Sequence, residues 1–286
     1  MLRSLIDWID RIYKSRLGSA ALFWDNAGAY LGFSADGSSH LLLATEGGMQ
    51  FGEETLSDHA CNLDGALLKV ALPDYWFYYY CLNVSQLPSK QSDVPGFLEW
   101  KLGQDLGLVQ KGTTVALSGR RKNSDRYTAL LLSRDRLIGV EDTLRGVGAL
   151  LDELMPASFF VHQHILKNLP DLEFSEMPGV IVVLFNGWWT MLLSDHQGDL
   201  VGFRSNPWQA GGVCNVQCDV IAQEIRRALI GRASLNPGVA LIGEAELTST
   251  MVMNMEKYML GAGDVINHGN DSFTQYVLDM VLNFER

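Results

Sequence analysis

The sequence predicts an α/β protein in which one folding unit occurs twice, each copy a mixed five-stranded sheet with helices on its faces. Two observations carry this. The stretch VLFNGWWTMLLSDHQGDLVGFRS (183–205) repeats the layout of LFWDNAGAYLGFSADGSSHLLLA (22–44), about 160 positions earlier. Each runs an apolar strand into an Asn and a Gly, then a second strand, a polar Gly-containing turn and a third strand. Asn186 stands where Asn26 stands and Ser194 where Ser34 stands, and both copies later reach a Gly-Gly pair, at 47–48 and 211–212. The second observation is the order of elements after residue 179, which reads βββαβαβα. A three-stranded antiparallel meander followed by alternating helices and strands closes into a mixed sheet through right-handed crossovers.

The elements follow in chain order. Residues 1–16 place Leu2, Leu5, Ile6, Ile9, Ile12 and Tyr13 on one stripe, widened by Trp8, with Arg3, Asp7, Arg11 and Lys14 opposite. This is an amphipathic helix of about four turns. Packing on its own domain, docking to a partner helix and lying on a membrane surface all suit it. A first meander covers about 20–46, and a weak helical stretch is expected over 53–68. After Pro73, an aromatic run over 75–84 favours a strand whose rings alternate between faces. In SDVPGFLEWKLGQDLGL, Ser92 or Asp93 caps a helix with Pro95 in its first turn, and Phe97, Leu98, Leu102 and Leu106 line one face. Strands at about 113–119 and 127–133 form a hairpin around the charged turn GRRKNSDR. A helix is expected from Arg134 through RDRLIGVEDTLRGVGALLDEL as far as Pro156, and ASFFVHQHIL then opens a strand-to-helix unit. NLPDLEFSEMPG, with two prolines, reads as a linker. Beyond it come strands over 179–205, helices at 214–230, 245–260 and 272–284, and strands at GVALIG and DVINH.

With 286 residues, 47% of them apolar and 19% charged, the chain is ordinary for a soluble globular protein. No apolar run approaches the roughly 20 residues that span a bilayer. Asp7 and Asp10 interrupt the first apolar stretch, and no small-residue cleavage site follows. A cytoplasmic protein without a membrane span of its own is therefore expected, its four cysteines reduced. A net charge of −11 argues against nucleic acid as a partner, because binding phosphate chains requires a basic surface. Arg120, Arg121, Lys122 and Arg126 form the one basic cluster, best read as a solvated turn.

The βββαβαβα unit is ribonuclease H-like, and two such units in one chain make the actin-like ATPase architecture, here with an α+β subdomain inserted in the first lobe. The expected organisation is the helix 1–16, a first lobe over 17–169 with the insertion at about 72–135, and a second lobe over 179–286. The inserted segment LPDYWFYYYCLNVSQLPSKQSDVPGFLEWKLGQDL is more specific. It resembles the PilM family of actin-like pilus assembly proteins in Leu72-Pro73-Asp74, in Leu87-Pro88 and in Phe97, Trp100 and Lys101. The cytoplasmic part of the type II secretion L subunit and the cell-division protein FtsA are more distant relatives by this reading. TTVALSGRRKNSDRYTALLLSRDRLIGVEDTLRGVGA fits the same resemblance, which covers most of residues 20–286.

The resemblance implies a nucleotide site between the lobes, where two Gly-containing hairpins cradle phosphates and acidic residues hold Mg²⁺ and water. This chain departs from that pattern at each motif. The first Asp-x-Gly reads Asp25-Asn26-Ala27, the second reads Phe185-Asn186-Gly187, and the Gly-Gly of the third reads Gly243-Glu244. A Phe holds no metal-bound water, Trp188 and Trp189 crowd the place of small hydroxyl residues, and a carboxylate at Glu244 repels phosphates. The expectation is therefore no ATP or Mg²⁺ cofactor, no catalysis and a scaffold. Its implied partners are inner-membrane platform proteins, through a PilN-like cytoplasmic peptide, and the assembly ATPase. The expected contact residues are Trp76, Tyr78, Tyr80, Phe97, Trp100 and Lys101, with the N-terminal helix. The alternative is an actin-like nucleotide switch of the same machinery. A kinase of the same superfamily requires a positioned general base in the cleft, and no residue pattern supplies one. Cys214 and Cys218 share a helix face and read as small core residues. His162 and His164 are expected to alternate at a strand end without forming a metal site, and the methionines of TSTMVMNMEKYM read as core.

Overall fold

A computed structural model of the chain describes residues 20–24, 28–35, 38–46, 65–84, 87–106, 113–117, 126–146, 148–168, 179–195, 200–208, 215–231, 238–243, 245–257, 265–267 and 273–282. The helix expected over 1–16, the stretch 53–64, the charged turn and most of the linker lie outside the described residues. The chain divides into two compact units, one of Met1–Asp74 with Glu141–Arg286 and one of Tyr75–Val140.

In the larger unit, β1 (Ala20–Trp24), β2 (Gly28–Ala35) and β3 (Ser38–Glu46) form an antiparallel meander, and β4 (Leu67–Leu72) joins β1 in parallel. The smaller unit follows with β5 (Phe77–Asn83), α1 (Val94–Leu106), β6 (Thr113–Leu117), β7 (Arg126–Ser133) and the start of α2 (Arg134–Gly146). β8 (Leu150–Pro156) then pairs in parallel with β4, completing a five-stranded sheet of order β3-β2-β1-β4-β8. After α3 (Ala157–Asn168), the pattern recurs as β9 (Val180–Phe185), β10 (Trp188–Ser194), β11 (Leu200–Pro207), α4 (Asn215–Gly231), β12 (Val239–Gly243), α5 (Ala245–Lys257), β13 (Val265–Asn267) and α6 (Phe273–Leu282). The second sheet has order β11-β10-β9-β12-β13, with the same succession of antiparallel and parallel pairs.

The central strands show why the two sheets form. AALFW, VIVVLF and VALIG are buried at every position, so neither face alternates with polar residues, as in strands covered on both sides. Each large aliphatic side chain so buried stabilises the fold by roughly 1.5–3 kcal/mol. One face of the second sheet packs on α4 and α5 through Val180, Val182, Leu184, Ile221, Ile225 and Met251. Cys218 belongs to that core, whereas Met253 on the same helix as Met251 is exposed. On the other face, Phe159 and His162 of α3 meet Phe203 and Ser194, and Phe273 of α6 meets Phe185. Both α3 and α6 also pack on the first sheet, where Leu278 covers Gly32, so these two helices are shared between the sheets.

Two expectations fail in the same stretch. The helix beginning at Arg134 stops at Gly146 and does not reach Pro156, and 150–156 is strand β8. Gly148 takes φ 75°, its N–H donates to Arg145 O at 3.1 Å and the Ala149 N–H donates to Leu144 O at 2.9 Å. This pair of bonds around a left-handed glycine is a Schellman stop. The Leu and Glu residues of LLDEL favour helix locally, but pairing with the buried β4 overrides that preference. ASFFVHQHIL, expected to start as a strand, is helical throughout as α3. Its aromatic and β-branched residues face the apolar space between the sheets, where burial outweighs propensity.

Gly243 marks a place where the backbones of β9 and β12 approach closely, since a Cβ there would lie 2.8 Å from Leu184 O and 2.9 Å from Leu184 Cβ. Gly243→Ala is expected to destabilise the protein by about 1–3 kcal/mol, because backbone has to move. Urea unfolding of the two proteins checks this.

Candidate functional site

The residues that the sequence singles out in the larger unit gather at the C-terminal ends of the central strands. Phe185 ends β9, Gly243 ends β12 beside Leu184, and Pro73-Asp74 follows β4. β9 and β10 are joined by the exposed Asn186 and by Gly187, whose φ of 107° is one that glycine adopts without strain. The register places Phe185 directly opposite Trp188, so both side chains leave the sheet on the same face. Their rings stack with centroids 4.4 Å apart at 17°. Phe23 of β1 lies 6.0 Å from Phe185 and 6.2 Å from Trp188, and Phe273 lies 5.5 Å from Phe185. All four side chains are buried, so a layer of rings joins the end of β1 to the β9–β10 hairpin.

Beside this layer sits Asp74, a carboxylate with 0% exposure. Its Oδ1 accepts the Ser158 N–H at 3.0 Å and the Ser158 hydroxyl at 2.9 Å. Its Oδ2 accepts the Trp188 Nε1–H at 3.0 Å and the Thr190 hydroxyl at 2.8 Å. Four donors therefore saturate the two oxygens, and the donors come from α3 and β10. Ser158 lies in the first turn of α3, whose N-terminus carries partial positive charge. Asp74 thus caps a helix through Ser158, 84 residues later in the chain. Burial raises its pKa from 3.8 to about 6, against the lowering effect of these hydrogen bonds. Thr190 Oγ1 also lies 3.0 Å from Ser205 Oγ, which donates to Trp189 O at 3.2 Å. Hydroxyls rotate, so this chain serves either state of Asp74: Thr190 donates to the carboxylate, or accepts from the acid and donates to Ser205.

Asp25, Ala27 and Glu244 lie outside the described residues. Phe185 and Gly243 share neighbouring strands, and the Asn186 side chain stays in solvent. His162 and His164 lie on helix α3, not at a strand end, and residues two apart on a helix point to different sides. His162 Nε2 lies 3.3 Å from Ser194 Oγ, whereas the His164 ring meets Tyr276 edge-on at 5.8 Å. Among the described residues no group of three or more His, Cys, Asp or Glu is placed to hold a metal ion.

The smaller unit holds the expected contact residues. β5, β7 and β6 form an antiparallel sheet, and α1 packs on it through Val94, Leu98 and Leu102 against Leu82, Ala129 and Leu131. Tyr80 and Phe97 join the edge of that core, and Trp100 lies against Phe97 at 5.8 Å. Tyr78 and Trp100 are 68% and 59% exposed, whereas Lys101 is half-buried. Trp76 belongs to a short 3-10 turn, Asp74–Trp76, ahead of β5 and lies under the Arg136 guanidinium at 4.8 Å. The aromatic run is therefore a turn followed by a strand. The contribution of Ser158, Thr190 and Trp188 to a site was not legible, since nothing in sequence links them to Asp74.

No protein-family model matches the chain, and no curated protein matches it. Solved structures do. A Bacteroides thetaiotaomicron protein with an actin-like ATPase fold and unknown function superposes with a TM-score of 0.59 at 11% identity, over 95% of this chain and 98% of its own. The chain has an actin-like fold. A PilM–PilN type IV pilus biogenesis complex gives a TM-score of 0.61 at 14% identity, covering 93% of this chain and 96% of the matched one. The cytoplasmic domain of EpsL, an inner-membrane component of the Vibrio cholerae type II secretion system, gives 0.53 at 10% identity, over 93% and 95%. At these identities the likeness concerns the fold alone. Among the described residues, no helix of this actin-like chain is long and apolar enough to cross a membrane.

Two outcomes follow for Asp74. Asp74→Ala strands the buried Trp188 and Ser158 N–H groups and is expected to cost about 3–5 kcal/mol of stability. Because the folded pKa is raised, the stability Asp74 contributes is fully present below pH 3.8 and is lost as pH rises through about 6. The unfolding free energy of the natural protein relative to Asp74→Asn should therefore fall by about 2 kcal/mol between pH 4 and pH 7. Chemical denaturation across that range measures it.

Proposed function

We propose that this chain is a non-enzymatic scaffold of a bacterial inner-membrane assembly platform, of the type IV pilus or type II secretion kind. It works at the cytoplasmic face of that membrane and binds the cytoplasmic segment of a membrane partner. The observation that carries the reading is the ring layer of Phe23, Phe185 and Trp188. In the architecture that the sequence resembles, nucleotide lies between the first and second hairpins. Here the residue at the entry of the second hairpin is a phenylalanine stacked on Trp188 and packed on the first sheet. Aromatic faces supply neither a metal ligand nor a cradle of N–H donors for phosphate.

Asp74 does not restore the chemistry. A general base has to reach the proton it removes, and this carboxylate is fully buried with both oxygens taken by four protein donors. The likeness in fold to a PilM–PilN complex and to the EpsL cytoplasmic domain supports the platform setting. The partner surface is assigned to the smaller unit, where Tyr78 and Trp100 keep large apolar faces in water.

Calorimetric titration with Mg-ATP tests the first part. No heat up to millimolar nucleotide, meaning binding weaker than about −4 kcal/mol, is expected. Micromolar binding overturns the reading and makes the protein a nucleotide switch. In a Phe185→Asp, Glu244→Gly variant, regained binding is expected if the cleft persists with altered chemistry. The partner surface is tested with Trp100→Ala and Tyr78→Ala. Each should leave stability within about 0.5 kcal/mol of the natural protein, because the side chains are exposed. Each should weaken capture of a PilN-like N-terminal cytoplasmic peptide, read by fluorescence anisotropy. Unchanged capture by both variants removes this surface from consideration.

A further inference from the structure

We infer that the Asp74 carboxylate is a latch that holds the two five-stranded sheets of the core in one fixed relative orientation. The inference rests on where its four partners belong. Asp74 itself follows β4 of the first sheet. Ser158 opens α3, the helix placed between the sheets, and Trp188 and Thr190 stand on β10 of the second sheet. One rigid, two-toothed acceptor therefore ties three elements together at a single buried point. Rotating one sheet against the other separates Oδ2 from β10 or Oδ1 from α3. Either movement leaves a carboxylate oxygen and at least one N–H donor, that of Trp188 or of Ser158, without the partner it has here in an apolar surround, a costly state for a polar group.

Two further contacts span the same gap and add to the constraint. Phe23 of the first sheet packs on the stacked Phe185 and Trp188 of the second. At the far end of β10, His162 of α3 lies 3.3 Å from Ser194. The gap is thus held by a polar bridge, a ring layer and a second polar contact, spaced along β10 from its first residue to its last. The ring packing is non-directional and tolerates sliding, whereas the four hydrogen bonds to Asp74 are directional and do not. Asp74 is accordingly the group that sets the orientation. The latch is independent of what the smaller unit binds, and it holds whether or not nucleotide enters.

The test is a distance distribution between the sheets. Spin labels are attached through a ketone-bearing amino acid placed at Asp152 of β8 and at Arg227 of α4, both exposed, and double electron–electron resonance is read on the full chain. The natural chain is expected to give one narrow distance, unchanged by Mg-ATP. Asp74→Ala is expected to add a second population or broaden the first, with circular dichroism unchanged. Should Asp74→Ala fail to fold, Trp188→Phe is read instead, since it keeps the ring stack and deletes one donor to Oδ2; broadening is again expected. A natural chain that already populates several distances overturns the latch. So does a folded Asp74→Ala, or in its absence a folded Trp188→Phe, with the natural chain's single narrow distance.

Discussion

The structure depends on one buried carboxylate. Asp74 lies in an apolar interior without a cation beside it among its hydrogen-bond partners, an arrangement that on its own is strongly unfavourable. Four donors and the N-terminus of α3 offset the cost, and each donor is satisfied by the same group. The dependence is mutual. Without Asp74 the first turn of α3 loses this cap, and the fully buried indole N–H of Trp188 loses the acceptor it has here. A neutral amide in its place presents an N–H₂ to a set of groups that are donors themselves, so the chemistry calls for a carboxyl and not merely a polar residue.

Around that point the core divides its work between two kinds of interaction. Directional hydrogen bonds define how β4, α3 and β10 meet, and the stacked rings of Phe23, Phe185 and Trp188 exclude water from them. Exclusion of water strengthens the hydrogen bonds, and the hydrogen bonds keep the rings in register. The same rings occupy the end of the second hairpin, the position at which an actin-like architecture meets its phosphates. Stability of the core and the proposed absence of nucleotide chemistry thus have a common physical origin. The proposed partner surface lies on the smaller unit, where Tyr78 and Trp100 are exposed.

Much of the fold was legible because its signals are local. The meanders announce themselves through Asn and Gly at the turns, and VIVVLF and VALIG are short apolar runs bounded by glycines, the mark of strands covered on both faces. The helix α1 was legible through its caps and its Leu98–Leu102 face. Of the site, Phe185 at the β9–β10 hairpin and Gly243 at the end of β12 were visible as departures from the nucleotide-binding pattern that the sequence resembles. The carboxylate was visible only as part of a Leu-Pro-Asp triplet without a role, because its partners Ser158, Trp188 and Thr190 are separated from it by the whole insertion and more.

Sequence alone determined the duplication, the central strands, the acidic surface and the departures from a phosphate-binding pattern, since each is written in residue identity and short-range spacing. Tertiary structure alone decided β8 and α3. LLDEL has the composition of a helix and becomes a strand because β4 offers a buried edge with which to pair. ASFFVHQHIL has the composition of a strand and becomes a helix because its N-terminus is capped from 84 residues away and its aromatic face is buried between two sheets. In both cases the local preference is a few tenths of a kcal/mol per residue, and burial with long-range hydrogen bonding is worth roughly 1–3 kcal/mol per group, so the distant contact prevails.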